Sequence, residues 1–195
     1  MNEVSYAIGT SIAGSLINQN LDDINIDDFV LGIKDALSGQ PLKVSPQKAN
    51  ELIQDHLDEK NKQMFEKNKT EGQAFLAENG KREGVVTLDS GLQYEIIEEG
   101  TGAKPGAESQ VTVHYTGTLI DGTVFDSSVQ RGQPASFGVN QVIKGWTEAL
   151  QLMPEGSKWK LAIPEELAYG GNPHPGGPIK PFMALLFEVE LISVN

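Results

Sequence analysis

Large apolar and aromatic side chains are concentrated between Val111 and Trp146, spread over several short elements. Val111, Val113 and Tyr115 alternate with polar residues, which predicts a strand, and the following Asp121-Gly122 pair predicts a hairpin turn. The segment then continues with further bulky apolar residues, namely Phe125, Phe137, Val142, Ile143 and Trp146. It contains no nucleophile beside a base, no phosphate-binding loop and no cluster of metal ligands. These residue types therefore predict one aromatic-walled pocket.

Each aromatic residue in this segment also has a simpler interpretation. A Trp at the start of a helix is most often an ordinary core residue, and physical reasoning alone favours that role for Trp146. Phe125 and Phe187 would likewise be core aromatics. Asp126 would ordinarily be a turn residue, although a carboxylate directly after an apolar Phe needs a hydrogen-bond partner if it is buried.

The overall charge excludes one class of partner. The chain has 195 residues, with 15 Lys and Arg against 27 Asp and Glu, which gives a net charge of −12. Nucleic acids require a basic face, so we expect no nucleic-acid partner. No apolar run approaches the roughly 20 residues of a membrane-spanning helix.

No cofactor or metal is expected. Cysteine is absent, which removes disulfides and Cys-based metal sites. His56, His114 and His174 lack ligand spacing, and the glycine-rich GTGAKPG segment lacks the GK[ST] ending and helix start of a phosphate loop. The first 20 residues lack a basic region and a continuous apolar stretch, so we expect a cytoplasmic protein. An exported protein given without its signal peptide would look the same, and the periplasm or cell envelope is the alternative.

Helical spacing dominates the N-terminal part. Apolar residues recur at helical intervals over Val4–Asn18 and Asn25–Leu37, with Gly39 placed to end the second helix. Ser45-Pro46 is a helix start signal, and a helix from Pro46 to about Asn79 would be roughly 50 Å long. We expect its first third to be packed and the rest to be mostly solvated. A shorter helix followed by a disordered linker is the alternative.

Strand patterns dominate the remainder of the chain. The predicted strands include Val85–Thr87, Gly91–Glu98, Ser157–Ile163 and Leu185–Ser193, with one short helix over Thr147–Leu152. Antiparallel strands with one short helix indicate the α+β class. We therefore divide the chain into a helical segment over 1–44, a connecting helix over 45–83 and a sheet domain over 84–195.

Several separated motifs resemble those of one protein family. VHYTGTLIDGTVFDSS, QVIKGWTEAL, MPEGSKWKLAIPEELAYG and GGPI…LLFEVELI are similar, in order and spacing, to the FKBP-type peptidyl-prolyl isomerases that bind tacrolimus and rapamycin. The similarity covers about Gly84–Asn195. The N-terminal helices resemble the macrophage infectivity potentiator branch of bacterial FKBPs. The resemblance implies a curved antiparallel sheet wrapped over the short helix, with the pocket between them.

The resemblance also implies roles for individual residues. Trp146 matches the pocket floor, and Tyr169 matches the Tyr whose hydroxyl holds the substrate carbonyl. The other residues that match catalytic-pocket positions are Tyr115, Phe125, Asp126 and Phe187. The residues that match ligand-contacting positions are Phe137, Gln141, Val142, Ile143, Ala168, His174 and Ile179. We expect Tyr115 and Asp126 to share a hydrogen bond.

Two segments depart from the family pattern. Pro134–Val139 is short, so that Ala135 or a neighbour falls where many members place another wall aromatic. Gly171–Phe182, which we call the flap, carries Lys180 where Pro is common. Because such loops set ligand preference, the family's substrate and drug preferences are not carried over to this chain.

The function implied is a cofactor-free peptidyl-prolyl cis-trans isomerase that assists protein folding. Its partners would be proline-containing polypeptides and macrolides such as tacrolimus and rapamycin. The apolar faces of the two short helices are too small to cover themselves, which predicts a homodimer. The alternative is a non-catalytic module or chaperone that binds proline-containing segments through the same fold.

Overall fold

The computed structural model describes residues 1–19 and 21–195. The chain forms two compact units, Met1–Met64 and Phe65–Asn195. We call them the first unit and the second unit.

The first unit contains two short helices with well-formed ends. Helix α1 spans Glu3–Asn18 and helix α2 spans Ile26–Ser38. The side chains of Asn2 and Asn25 accept hydrogen bonds from backbone N–H groups in the first turns. Gly39 ends α2 with a left-handed backbone conformation, as predicted.

Neither of these helices contains a buried residue. The large apolar side chains that remain exposed on them are Val4, Tyr6, Ile8, Ile17, Ile26, Val30, Ile33 and Leu37. The segment between α2 and α1 is tied to the following helix through Asp23, whose carboxylate lies 2.7 Å from Lys60 Nζ and 3.2 Å from His56 Nε2. Among its described residues the first unit therefore has well-formed helices but no buried core.

Helix α3 spans Pro46–Asn79, with Ser45 Oγ accepting a hydrogen bond from Lys48 N–H at its start. The predicted bounds are thus confirmed. The predicted distribution of packing is wrong, because the buried residues of α3 are Asn68 and Gly72, in its second half. Small and amide side chains pack here without forming an apolar stripe, so hydrophobic spacing could not reveal this contact. A Cβ on Gly72 would lie 3.1 Å from Ala184 Cβ.

The second unit is built on one antiparallel sheet of seven strands. They are β1 Val85–Thr87, β2 Gln93–Glu98, β3 Gln110–Thr118, β4 Val124–Ser127, β5 Ala135–Gly138, β6 Lys158–Ile163 and β7 Leu185–Val194. The strand order is β1-β2-β6-β7-β3-β4, and β5 also pairs with β3. Helix α4 spans Lys144–Leu152. The predicted α+β class and antiparallel sheet are confirmed.

One face of the sheet forms the core together with α4. Residues on β3 and β7 alternate between buried and more exposed positions, as expected for strands with one covered face. Val113, Val189 and Leu191 from these strands join Leu150 of α4 in a single apolar cluster. No described helix has the length and apolar character needed to cross a membrane.

The opposite face of the sheet receives the end of α3. Asn79 donates a hydrogen bond to Gln93 Oε1, and Gln93 donates one to the carbonyl oxygen of Leu76, both at 2.8 Å. Gln93 is buried, so these bonds satisfy its polar groups. The last turns of α3 are consequently part of the second unit.

Candidate functional site

A cavity of about 420 Å³, lined mainly by aromatic side chains, opens on the core side of the sheet. Eleven of the residues expected at the site line it, namely Tyr115, Phe125, Asp126, Phe137, Gln141, Val142, Ile143, Trp146, Tyr169, His174 and Phe187. The structure therefore brings together side chains that are separated by up to 72 positions in the sequence.

Trp146 lies at the centre of the aromatic lining. Its side chain is buried, and its ring meets Tyr115, Phe137 and Phe187 edge to face, with centroids 5.3, 6.0 and 5.3 Å away. Such perpendicular pairs are favourable because the positive ring edge meets the negative ring face. These three contacts fix the orientation of the indole against the other rings of the lining.

Gly117 makes room for the aromatic wall. It pairs with Phe187 on β7 and with Asp126 on β4. A Cβ at this position would lie 2.5 Å from the Phe125 ring and 2.8 Å from the Phe187 ring. Only glycine lets these two rings meet at 5.5 Å above the strand.

A hydrogen-bonded network lies at one side of the cavity. Tyr115 donates from its hydroxyl to Asp126 Oδ2 at 2.5 Å, as predicted from the sequence. Arg131, which the sequence did not suggest, forms an ion pair with Asp126 and donates to the Tyr115 hydroxyl at 2.9 Å. The Asp126 side chain is 41% exposed, so the carboxylate is only partly buried. Its position beside the turn that carries Arg131 leaves one edge open to water.

This network favours the ionised form of the carboxyl group. Partial burial raises the pKa of Asp126, but hydrogen bonds from Tyr115 and Arg131 outweigh that effect, and the pKa lies below its ordinary value. Burial, together with the bond to Asp126, raises the pKa of Tyr115. Burial and the nearby Asp126 charge also raise the pKa of Tyr169. Both hydroxyls thus remain protonated donors at neutral pH.

The mouth of the cavity is formed by backbone and flap. Val142 and Ile143 have extended conformations just before α4 begins, so their peptide groups can pair with an extended chain. On the other side the rings of Tyr169 and His174 lie 6.1 Å apart. Ala168 and Ile179, also expected at the site, are not among the described residues that line the cavity. They are half-buried and pack against the core.

A second cavity, of about 460 Å³, lies between the outer face of the sheet and the end of α3. Its lining includes the charged side chains of Arg82, Glu95, Lys160 and Glu188. Volume alone does not distinguish the two cavities. The Trp146 cavity is the one whose aromatic lining contains the site residues expected from the sequence, of which the second cavity shares only Phe187.

Metal chemistry has no evident site in the described part of the chain. No group of three or more His, Asp and Glu side chains is placed to hold an ion there. At the cavity, Tyr115, Asp126 and Arg131 bond to one another.

Comparison with known proteins gives two family matches. The family described as FKBP-type peptidyl-prolyl cis-trans isomerase matches residues 101–192. The domain found amino-terminal to such isomerases matches residues 1–96. Together they extend over both units.

Individual relatives are similar over the whole chain. The outer membrane protein MIP of Legionella longbeachae is 48% identical over 100% of this chain and 85% of its own length. The FKBP-type 22 kDa peptidyl-prolyl cis-trans isomerase of Escherichia coli is also 48% identical, over 98% of this chain and 94% of its own. The crystal structure of FkpA from Escherichia coli superposes with a TM-score of 0.82 at 36% identity, covering 99% of this chain and 95% of that one.

One expectation is overturned by these comparisons. The Legionella relative is named an outer membrane protein, so the prediction of a cytoplasmic location is wrong. The N-terminal residue pattern could not decide this question, because a cytoplasmic protein and an exported protein given without its signal peptide look the same in sequence.

The remaining evidence converges on one activity. The relatives are named isomerases, which does not favour the alternative of a non-catalytic binding module. Peptidyl-prolyl isomerases act on proline-containing chains, and rotation about the bond before proline limits many folding reactions. With both family matches, near-half identity and a shared fold, the chain belongs to the FKBP-type peptidyl-prolyl cis-trans isomerases.

Proposed function

We propose that catalysis takes place in the Trp146 cavity and that it depends on removing the X-Pro bond from water. The observation that carries this proposal is the set of three edge-to-face contacts around Trp146. They form a rigid apolar floor for a flat pyrrolidine ring. No covalent step is required.

The physical basis is the charge distribution of the amide. Resonance makes the planar bond resistant to rotation, with a barrier of roughly 18–20 kcal/mol. The planar form places negative charge on oxygen and positive charge on nitrogen, and water stabilises that separation. In the twisted transition state the separation is largely lost. An apolar cavity therefore disfavours the planar form more than the twisted one, which is differential binding of the transition state.

Polar groups at the cavity have supporting roles in this mechanism. In this mechanism the Tyr169 hydroxyl, which lines the cavity and stays protonated because its pKa is raised, donates to a substrate carbonyl. The backbone at Gln141–Ile143 pairs with the extended substrate. Asp126 and Arg131 hold the Tyr115 ring against Trp146 through the hydroxyl network. Catalysis thus comes from the environment of the cavity and not from a single reacting side chain. A few hydrogen bonds position the side chains that form this environment.

Peptide kinetics test this assignment. Asp126→Ala and Phe187→Ala should each slow isomerisation of a short X-Pro peptide by about tenfold or more, on the order of 1.4 kcal/mol in the barrier. Phe187→Leu keeps an apolar side chain and should retain more activity than Phe187→Ala. Asp89→Asn, an exposed acid of the same unit, is the matched control. Folded Asp126 and Phe187 variants with full activity would contradict the assignment.

The first unit is proposed to pair two chains. Its two short helices expose many large apolar side chains and bury none, and a second copy of the same helices would cover them. We retain the predicted division of roles, with residues 1–44 forming the homodimer and 45–83 connecting them to the catalytic domain over 84–195. In such a dimer, a polypeptide that is bound at one site meets the second, linked site at a raised effective concentration.

Clients and location follow from the same proposal. The substrates are unfolded or partly folded polypeptides with accessible proline, and macrolides such as tacrolimus and rapamycin are candidate inhibitors of the cavity. A place in the cell envelope is supported by the printed name of the Legionella relative. Cell fractionation with an antibody to this chain tests that location, and recovery in the cytosol alone would contradict it.

A further inference from the structure

Phe182, the last residue of the flap, has an unusual backbone conformation. Its φ is +63°, the only positive value among the described residues other than glycine. Left-handed backbone is disfavoured for a residue with a Cβ, and most of all for a bulky one. Such a conformation persists only where surrounding contacts impose it.

The contacts that impose it come from helix α3 and from the other end of the flap. The Phe182 ring meets Phe65 edge to face at 5.2 Å, and Lys69 Nζ lies 4.3 Å from the ring centroid. On the remaining side, a Cβ on Gly171 would be 3.0 Å from the ring. The ring is therefore enclosed by two helical side chains and the backbone at the start of the flap.

Hydrogen bonds close the base of the flap at the same place. Phe182 N–H donates to the carbonyl oxygen of Gly170 at 2.8 Å, which joins the two flap ends. Asn68 Nδ2 donates to the carbonyl oxygen of Pro181 at 2.8 Å. Asn68 is only 7% exposed, so breaking this bond would leave a buried amide without its partner. The Pro181–Phe182 end of the flap is thus fixed to α3, and the other end is fixed to Phe182.

The flap carries side chains that reach the cavity. His174, within the flap, lines it, and Tyr169 immediately precedes the fixed point at Gly170. A shift of the flap base would therefore move both rings at the cavity mouth. The floor around Trp146 belongs to strands and α4, which Phe182 does not hold in place.

We propose that Phe182 is a positioning residue for substrate selection: by fixing the flap to Phe65 and Lys69 of helix α3, it determines which residues next to proline the isomerase accepts. This inference rests on the proposed function of the Trp146 cavity. Phe65 and Lys69 are not among the described residues that line the cavity. They act through the flap.

The test separates the ring contacts from the backbone conformation. Phe182→Asn keeps a residue that tolerates left-handed backbone but removes the ring, and Phe65→Ala removes the opposing ring from α3. In the full-length protein, kcat/KM is measured for two peptides that differ only in the residue before proline, one small and one aromatic. We expect both variants to change the ratio of the two kcat/KM values in the same direction by about threefold or more, chiefly through KM.

A double variant and a matched control sharpen the result. Phe65→Ala with Phe182→Asn should change the ratio no more than either alone, because both remove one contact. Phe75→Ala is the control, since Phe75 lies on the same helix but lines the cavity on the outer face of the sheet. It should leave the ratio unchanged, even if it lowers thermal stability.

Two outcomes would overturn the proposal. Folded Phe182 and Phe65 variants with the wild-type ratio would show that the contact between Phe182 and α3 is purely structural. Equal losses of kcat/KM for both peptides would show the same. The proposed function itself is checked separately with Asp126→Ala. If Asp126→Ala loses activity while the ratio of kcat/KM values stays unchanged in the Phe182 and Phe65 variants, only the inference about Phe182 fails.

Discussion

The two units of this chain differ in what holds them together. The first unit has capped helices, but α1 and α2 bury no residue. The second unit has fully buried side chains on several strands and on α4, including Val113, Leu150, Leu185 and Val189. Local signals are sufficient to specify helices, whereas stable folding in isolation requires a shared core. We therefore expect the first unit to depend on a partner and the second unit to fold without one.

The largest effect should come from separating the units. A fragment of residues 65–195 keeps the docked half of α3 and should fold as a monomer that isomerises short peptides within about twofold of the full chain. It should catalyse proline-limited refolding of a whole protein about tenfold less well, because the second linked site is lost. Light scattering gives the masses, and parallel peptide and refolding assays give the rates.

Two results would contradict this comparison. A monomeric mass for residues 1–195 would contradict the proposed dimer. Equal refolding activity of the fragment and the full chain would contradict the proposed advantage of linked sites, even if the dimer is real.

Side-chain truncation should distinguish the two kinds of stability. Leu150 is 1% exposed and Val30 is 55% exposed. Leu150→Ala should lower the free energy of unfolding by about 2–5 kcal/mol at any protein concentration. Val30→Ala should act only through association, so its effect should depend on protein concentration. Urea unfolding followed by circular dichroism at two concentrations makes the distinction. A concentration-independent loss in Val30→Ala would show that the helix packs within its own chain.

A single methyl group should have opposite consequences in the two units. Gly117→Ala places a Cβ against the Phe125 and Phe187 rings, so the cavity wall must shift, and peptide isomerisation should fall by roughly tenfold. Gly32→Ala on α2 meets no atom within 4 Å and should add helix stability of about 1 kcal/mol without changing peptide activity. The same kinetic assay and thermal melts report both variants. An active Gly117→Ala protein would show that the rings need not meet.

A fall in pH should weaken the hydrogen-bonded network around Asp126 only below the ordinary pKa of a carboxyl group. The folded-state pKa of Asp126 is lowered from 3.8, so its network contributes stability above that value and loses it as the pH falls through the lower folded pKa. Activity on a peptide should stay level from neutral pH to about pH 4 as far as this group is concerned. Asp126→Asn should remove the acid-dependent part of the loss. Its pH profile is compared with that of Asp89→Asn, and identical profiles would contradict the assignment.

The smallest expected effect is that of a chelator. The described residues offer no metal cluster, and the proposed mechanism uses desolvation and hydrogen bonds without a metal ion. Dialysis against a chelator should leave the peptide rate unchanged. A loss of activity that is restored by a divalent ion would refute the mechanism.

Sequence patterns predicted the elements that are defined by local chemistry. Ser45-Pro46 gave the start of α3, and strand alternation located β3 and β7 within one or two residues. Helix α4 begins three residues earlier than predicted, at Lys144, because the preceding Ile143 already has cap geometry without a capping side chain. Strand β5 was not predicted, since its four residues become a strand only by pairing with β3.

The site was predicted where one strand or motif carried it, and missed where distant segments meet. Arg131 lies in a polar turn five residues after Asp126, and nothing in its spacing distinguishes it from a solvated surface cation. Its role depends on how that turn folds back over Tyr115. Phe182 is similar, because its left-handed conformation follows from contacts with α3 more than a hundred residues earlier. Such features arise from tertiary structure, which single-sequence patterns do not encode.

Both tryptophans of the chain lie in the second unit, with Trp146 4% and Trp159 3% exposed. Their intrinsic fluorescence should be typical of apolar surroundings and should report on this unit alone. The two indoles also differ in position. Trp146 lines the cavity, whereas Trp159 does not. The Trp159 ring stacks on Tyr94, with 4.4 Å between the ring centroids. Occupancy of the cavity should alter emission from the first indole and leave the second as an internal reference, so the native protein carries its own optical probe of ligand binding.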